Sequence, residues 1–134
     1  MPRLLRIFLM LILWTIVSTV FAASQGKSNP IEPFTRTGKT QQCLPTHSIQ
    51  DATVIDDSNI LFRINGSKYY LNHLHQACPQ LRQYGSFTYT LHGQTEVCDM
   101  DIITVLTGVT TPQGILHGAS CGLGKFERLE RKPD

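Results

Sequence analysis

The sequence has no Cys-x-x-Cys pair, no cluster of positive charge and no glycine-rich phosphate-binding loop. The first absence excludes the spacing of thioredoxin-like redox motifs and of zinc ribbons. The chain has 12 Lys and Arg against 10 Asp and Glu, and two of the twelve lie in an N-terminal segment that we expect to be removed. Residues 23–134 are then balanced at ten of each sign. This balance argues against nucleic acid as a partner, because nucleic-acid binding needs a clustered positive field.

The N-terminal segment has the layout of a secretory signal peptide. Two arginines precede the apolar run Ile7–Val17, and the small residue Ala22 follows Val20 at the spacing of a cleavage site. We therefore predict a signal peptide over residues 1–22, cleavage after Ala22, and a periplasmic or secreted protein with no membrane span in the mature chain. The alternative is an uncleaved anchor, whose apolar stretch would be at the short end of the spanning range.

The mature chain divides into three parts by composition. Residues 23–42 are polar and contain two prolines and two glycines, which predicts a flexible lead-in. Residues 43–128 form the predicted domain, and residues 129–134 form a charged tail. A domain of this size has a small core, so covalent cross-links are expected to contribute to its stability.

All four cysteines lie in the predicted domain: Cys43, Cys78, Cys98 and Cys121. An even number of cysteines in a small exported chain predicts disulfides. A hairpin that leaves along Phe87–Leu91 and returns along Thr95–Cys98 would bring Cys98 back beside Cys78. We therefore predict Cys78–Cys98 and, by elimination, Cys43–Cys121, with no free thiol.

The clearest local signal is the stretch NILFRINGSKYYLNHL, in which Asn65-Gly66 is a preferred pair for a two-residue hairpin loop. That loop sets Phe62 opposite Tyr69. It assigns to the buried face Ile60, Phe62, Ile64, Tyr69 and Leu71. It assigns to the other face Leu61, Arg63, Lys68, Tyr70 and Asn72.

Further short runs predict more strands. FTYTLH alternates cleanly, TEVC and IITVL follow it, and CGLGKF has glycines that indicate a bulge or a close backbone approach. Pro79–Tyr84 is the single helical candidate, with Gly85 as its stop. The sequence therefore predicts an all-β fold: a small curled sheet or barrel-like domain with one short helical turn and two disulfides.

His73 and His75 are the residues that raise the possibility of a metal site. Two residues apart on a strand, they point the same way. A site would need further donors, and His47, His92 and His117 are available in the sequence. Metal binding in the periplasm is thus the alternative function, and the main expectation is that both histidines lie at the rim of a sheet without a cofactor.

No catalytic arrangement is recognisable. Serines and histidines are present, but none lies in a nucleophile elbow, and Asp99 and Asp101 suit turn caps better than an acid pair. We therefore expect a non-catalytic exported domain that binds a protein or peptide partner, such as an envelope protein or an inhibited enzyme. Tyr70, Tyr84 and a predicted loop at 107–120 are the candidate contacts.

The cysteine framework and its flanking residues also resemble a known family. Cys43, the Tyr69-Tyr70-Leu71 strand, Cys98 with Asp101-Ile102-Ile103, and Cys121 with Leu123-Gly124 resemble small exported proteobacterial proteins with four cysteines, a domain of unknown function. The resemblance covers about residues 43–126. It implies no activity and no catalytic residues, and leaves the partner open.

Overall fold

The computed structural model describes residues 28–93 and 95–133. The predicted signal peptide and its cleavage site lie outside these ranges. Within them, no helix has the length and apolar character that a bilayer span requires.

Ten strands and two short helical turns make up the described chain. The strands are β1 Phe34–Gln41, β2 Cys43–Pro45, β3 Ile49–Val54, β4 Asn59–Ile64, β5 Lys68–His73, β6 Phe87–Thr90, β7 Glu96–Cys98, β8 Ile102–Thr111, β9 Gly114–Gly122 and β10 Phe126–Arg131. A 3-10 turn spans Thr46–Ser48, and the predicted helical turn is α1, Leu81–Tyr84. Gly85 ends α1 in the left-handed conformation, at φ 64°, as predicted.

The strands form three sheets. A five-stranded sheet has the order β1-β10-β5-β4-β3, a two-stranded sheet pairs β2 with β7, and a three-stranded sheet has the order β6-β8-β9. The predicted all-β class with two disulfides is confirmed. The curvature does not extend to a closed barrel in the described residues, because the three sheets remain separate.

One hydrophobic core lies between the sheets. The five-stranded sheet contributes Ile60, Phe62 and Phe126, which are fully buried. The opposing side chains come from the other two sheets and from the segments between strands: Leu44, Leu74, Leu81, Val97, Ile103, Val105 and Leu123. The short buried strand predicted from IITVL is thus the start of β8, which extends further along the chain than predicted.

The β4–β5 hairpin is present, but its register differs from the predicted one. The loop has three residues, Asn65 to Ser67, so Ile64 pairs with Lys68 and Phe62 with Tyr70. Gly66 and Ser67 take positive φ values, 75° and 58°. A shift of one residue moves every side chain of β5 to the opposite face. Tyr70 and Asn72 therefore point into the main core, where Tyr69 and Leu71 had been expected.

The opposite face of the five-stranded sheet has its own small cluster. Phe34, Leu61, Leu71 and Leu129 are buried there, with the rings of Phe34 and Tyr69 4.6 Å apart between centroids.

The strands at the two ends of the domain correct two predicted boundaries. The lead-in at 23–42 contains an eight-residue strand, β1, and β10 continues across the expected start of the tail at 129. Both segments are ordered because they bury apolar side chains against Leu61 and Leu71, on the face opposite the main core.

The disulfide pairing is Cys43–Cys98 and Cys78–Cys121, so the predicted pairing is wrong. The prediction assumed that β7 returns along β6. In the structure β6 pairs with β8, while β7 pairs with β2 and places Cys98 directly opposite Cys43. The prediction that all four cysteines pair is confirmed for the described chain, in which no free cysteine is present. Two such bonds are consistent with maturation in an oxidising, extracellular or periplasmic environment.

Candidate functional site

His73 and His75 do not form a metal site with a third donor in the described residues. His73 is exposed at the end of β5, and its Nδ1 lies 2.8 Å from Oδ1 of Asn59. The amide nitrogen of Asn59 donates to Asp56, so its oxygen is left to accept from the imidazole. His75 is exposed in the bend after β5. A metal at this place would have two imidazoles as ligands, and one of them already hydrogen-bonds Asn59 through Nδ1. This geometry does not favour the metal alternative.

Asp101 is the most buried ionisable side chain described, at 1% exposure. Its Oδ1 accepts hydrogen bonds from the backbone nitrogen and from Nδ1 of His92, at 2.7 and 2.8 Å. Its Oδ2 accepts from the backbone nitrogen of Cys98 at 2.7 Å. Burial alone would raise the pKa of Asp101, but these bonds outweigh burial and hold its pKa below the ordinary 3.8.

The His92–Asp101 pair resembles part of a hydrolytic triad, since a buried carboxylate fixes one nitrogen of an exposed imidazole. A triad also needs a nucleophile within hydrogen-bond reach of the other nitrogen. No serine, threonine or cysteine in the described ranges forms a hydrogen bond with the ring. The hydrogen bonds between His92 and Asp101 therefore hold the turn after β7 against the loop after β6.

Two tyrosines are predicted as partner contacts. Tyr70 is buried and so is not available at the surface, whereas Tyr84 lies at the edge of the core. Tyr70 is 6% exposed and packs in the core, with the guanidinium of Arg128 6.0 Å from its ring centroid. Tyr84 is half-buried at the end of α1. The one-residue shift of register is what turned Tyr70 inward.

The segment 107–120, predicted as a loop, is a β-hairpin formed by the second half of β8 and most of β9. Strand β6 pairs with β8 only from Ile102 to Val105, so the hairpin continues beyond the three-stranded sheet. We call residues 107–117 the arm. Two threonine hydroxyls, those of Thr107 and Thr111, donate to backbone oxygens across the arm at 2.8 Å. Its apolar side chains are open to solvent: Val109, Ile115 and Leu116 are each about half exposed, at 49–50%.

Strand β9 differs from the edge strands β1, β3 and β6 in being long and also free of charge and proline. Edge strands are usually guarded by charges, proline, bulges or shortness, because their unpaired backbone groups can accept another strand. The edge strand β1 contains Arg36 and Lys39, β3 has an irregularity beside Asp51, and β6 has only four residues. Strand β9, with the sequence GILHGASCG, has nine residues and contains neither a charged residue nor a proline. Its pairing with β8 is irregular between Thr104 and Thr110, so register shifts are the one form of protection it has.

A surface cavity lies at the base of the arm. It has a volume of about 260 Å³ and is lined by Tyr84, Ser86, Leu106, Thr107, Gly108 and Ile115. Most of its wall is apolar, and Ile115 belongs to β9. The structure therefore brings Tyr84 beside the segment 107–120, next to the uncharged edge strand β9.

The scan of protein-family models and the searches of curated proteins and of solved structures find no match to the chain. The function is therefore argued from the site. The sequence contained one usable signal for it: the absence of charge and proline from Gly114 to Gly122.

Proposed function

We propose that the chain is an exported, non-catalytic domain that binds a protein partner by accepting an extended strand at the free edge of β9. The single observation that carries this proposal is the nine-residue edge strand without charge or proline. In strand addition, main-chain hydrogen bonds supply affinity, and pockets for alternate side chains supply specificity. The backbone of β9 offers the hydrogen bonds, and the cavity beside Ile115 offers a pocket for a side chain.

The chemistry of the site selects one kind of occupant. The arm has no Asp, Glu, Lys or Arg, and three aliphatic residues, Val109, Ile115 and Leu116, are exposed on it, so a charged strand would lose hydration without gaining an ion pair. A cavity of about 260 Å³ accommodates one large apolar side chain. We therefore expect an extended, neutral segment of an envelope or extracellular protein, with a leucine, isoleucine or phenylalanine beside Tyr84.

The same proposal includes export of the protein, a role without catalysis, and a relationship to the four-cysteine family that the sequence resembles. The signal-peptide pattern of residues 1–22 and the two disulfides support a periplasmic or secreted location. The four-cysteine framework supports relationship to small exported proteobacterial proteins. Within residues 28–93 and 95–133, no nucleophile hydrogen-bonds His92, which supports a binding role over hydrolysis.

The test is selection of peptides from a random library displayed on phage, with the oxidised protein as bait. Binding of each selected peptide is then titrated against Ile115→Lys, Leu116→Lys and the control Met100→Lys. Met100 is 77% exposed and lies before β8, at the opposite end of that strand from the arm, so the control adds the same charge to another exposed apolar residue. We expect the two arm variants to weaken binding at least about tenfold, or ~1.4 kcal/mol, and the control to leave it unchanged.

Both arm variants replace exposed residues, so their free energies of unfolding should stay within about 0.5 kcal/mol of wild type. A loss of binding then reports on the surface and not on folding. Selected peptides that bind all three variants equally, or a library that yields no binder, would contradict the proposal.

A further inference from the structure

The outer face of the two-stranded sheet carries a second cluster of reactive groups. The middle residues of β2 and β7, Leu44 and Val97, are fully buried. Because side chains alternate along a strand, their neighbours point to the opposite face. Cys43 and Cys98 lie there, both half-buried, together with the exposed Glu96.

These three side chains are the one group of three or more potential metal ligands found in the described part of the chain. Their ligand atoms, two sulfurs and one carboxylate oxygen, lie within 4.8 Å of one another. In the oxidised protein the sulfurs are bonded at 2.07 Å and are not thiolate ligands. Ligand capacity is therefore coupled to the oxidation state of this one disulfide.

We propose that reduction of Cys43–Cys98 creates a site for one thiophilic divalent cation of the zinc or cadmium class. The two thiolates and the carboxylate of Glu96 supply three ligands, and water supplies the fourth. With metal–sulfur bonds of about 2.3 Å and metal–oxygen bonds of about 2.0 Å, tetrahedral ligand atoms are roughly 3.5–3.8 Å apart. After reduction the two sulfurs separate to this spacing by side-chain rotation, and all three ligand atoms already lie within 4.8 Å of one another. This site is separate from the β9 edge and does not depend on the function proposed for it.

The chemistry requires a reductant, which we take to be a dithiol. Its thiolate attacks one sulfur of the disulfide, the S–S bond breaks and a mixed disulfide forms. The second thiol of the reductant resolves that intermediate and leaves as a disulfide, having supplied two electrons. Two protons complete the thiols of Cys43 and Cys98, and binding of the cation to both sulfurs releases them again.

The positions of the two cysteines do not rest on the disulfide alone. Strands β2 and β7 pair directly, and their middle residues are buried in the core. Three further hydrogen bonds flank the pair: Thr46 nitrogen to Thr95 oxygen at 2.9 Å, Asp99 nitrogen to Gln42 oxygen at 2.9 Å, and Cys98 nitrogen to Asp101 Oδ2 at 2.7 Å. The reduced sulfurs therefore stay side by side.

The other disulfide is placed differently. Cys78 is fully buried within the main core, so only the half-buried Cys121 of this bond is open to attack, whereas both cysteines of the outer bond are half-buried. Exposure favours reduction of the outer bond first. The two bonds thus have distinct roles: Cys78–Cys121 holds the core together, and Cys43–Cys98 is the reducible one.

The experiment starts from the oxidised protein and applies limited reduction with a phosphine, which avoids competition from an added thiol for the metal. Alkylation and peptide mapping identify the opened bond, and circular dichroism checks the fold. Cadmium is then titrated, and the ultraviolet charge-transfer band reports sulfur ligation. We expect alkylation at Cys43 and Cys98, a retained β spectrum and one cadmium ion per reduced chain, with no such band for the oxidised protein.

Glu96→Gln tests the third ligand, and Glu130→Gln is its matched control at an exposed position of β10. Glu96→Gln should weaken cadmium binding about tenfold or more without changing the alkylation pattern. The control should bind as wild type does. The proposal is overturned by opening of Cys78–Cys121 first, by unfolding on limited reduction, by absence of the charge-transfer band, or by equal affinity in the two variants.

Discussion

The side-chain amide of Asn72 hydrogen-bonds both backbone groups of Gly124. Its Nδ2 donates to the carbonyl oxygen of Gly124 at 2.6 Å, and its Oδ1 accepts from the nitrogen at 3.0 Å. Asn72 is fully buried, so this reciprocal pair satisfies a polar group inside the core and fastens the segment before β10 to β5. The close approach requires glycine, because a Cβ at position 124 would lie 1.9 Å from the carbonyl oxygen of His73.

Gly124→Ala should therefore destabilise the fold. The backbone must move to relieve the contact, and the movement breaks the bonds to Asn72, so we expect a loss of about 3 kcal/mol or more. Urea denaturation measures it. Gly93→Ala is the control, since nothing lies within 4 Å of the Cβ it would add, and it should change the free energy of unfolding by less than about 0.5 kcal/mol. Equal effects of the two substitutions would refute the close approach.

Asp101→Asn should remove a pH-dependent part of the stability. Hydrogen bonds from Cys98 and His92 favour the carboxylate and lower its pKa in the folded state, against the opposing effect of burial. The unfolded chain then binds more protons near pH 4, so this contribution is fully present above the ordinary pKa of 3.8 and is lost as the pH falls through the lower folded value.

At neutral pH we expect Asp101→Asn to cost about 2–3 kcal/mol, measured by urea unfolding. Its stability should also fall less than that of wild type between pH 5 and pH 2. Asp99→Asn makes the same chemical change two residues away, where the side chain makes no hydrogen bond to another described residue, and should leave both properties nearly unchanged. If the stabilities of wild type and Asp101→Asn fall in parallel between pH 5 and pH 2, the lowered pKa of Asp101 is not the source of the pH dependence.

Ser67→Gly should stabilise the β4–β5 hairpin. Ser67 has a φ of 58°, a left-handed conformation that costs a side-chain-bearing residue about 1 kcal/mol and that glycine adopts freely. We expect the free energy of unfolding to rise by about 0.5–1 kcal/mol in thermal or urea denaturation. Ser67→Ala keeps the Cβ and should give no such gain. A loss of stability in the glycine variant would mean that the loop has a different conformation.

The hairpin shows where the sequence was sufficient and where it was not. Asn65-Gly66 located the turn correctly, and the alternation of β4 identified Ile60, Phe62 and Ile64 as core residues. The sequence did not show that Ser67 joins the loop, because the local alternation favours Tyr69 and Leu71 on the core face, whereas the observed register places Tyr70 and the polar Asn72 there. The deciding contacts, Phe34 and Leu129 against Leu61 and Leu71, come from the two ends of the chain.

The cysteine pairing and the candidate site likewise depend on contacts between residues that lie far apart in the sequence. Local patterns predicted β6 and β7 as strands, but pairing of β7 with β2 is a contact across more than fifty residues, since 55 separate Cys43 from Cys98. Composition identified residues 107–120 only as a surface segment. That this segment is an edge strand beside Tyr84 follows from sheet order, which no local pattern contains.

Removing each disulfide should have unequal effects. The closed loops span 43 and 55 residues, so the chain-entropy model gives about 4 kcal/mol for each bond. Cys78 is fully buried, and its truncation also leaves a cavity. The double variant C78A/C121A should therefore lose more stability in urea than C43A/C98A. Peptide mapping of unreduced protein must join Cys43 with Cys98, and a fragment that joins Cys78 with Cys98 would refute the pairing.

The central claim is that β9 accepts an extended strand from a partner. Residue-resolved amide hydrogen exchange, measured on the free protein and with a selected peptide bound, tests it most directly. The account predicts that amides of β9 from Ile115 to Ala119 become protected on binding, while the guarded edges β1 and β3 keep their exchange rates. Protection confined to β1 or β3, or no change along β9, would contradict it.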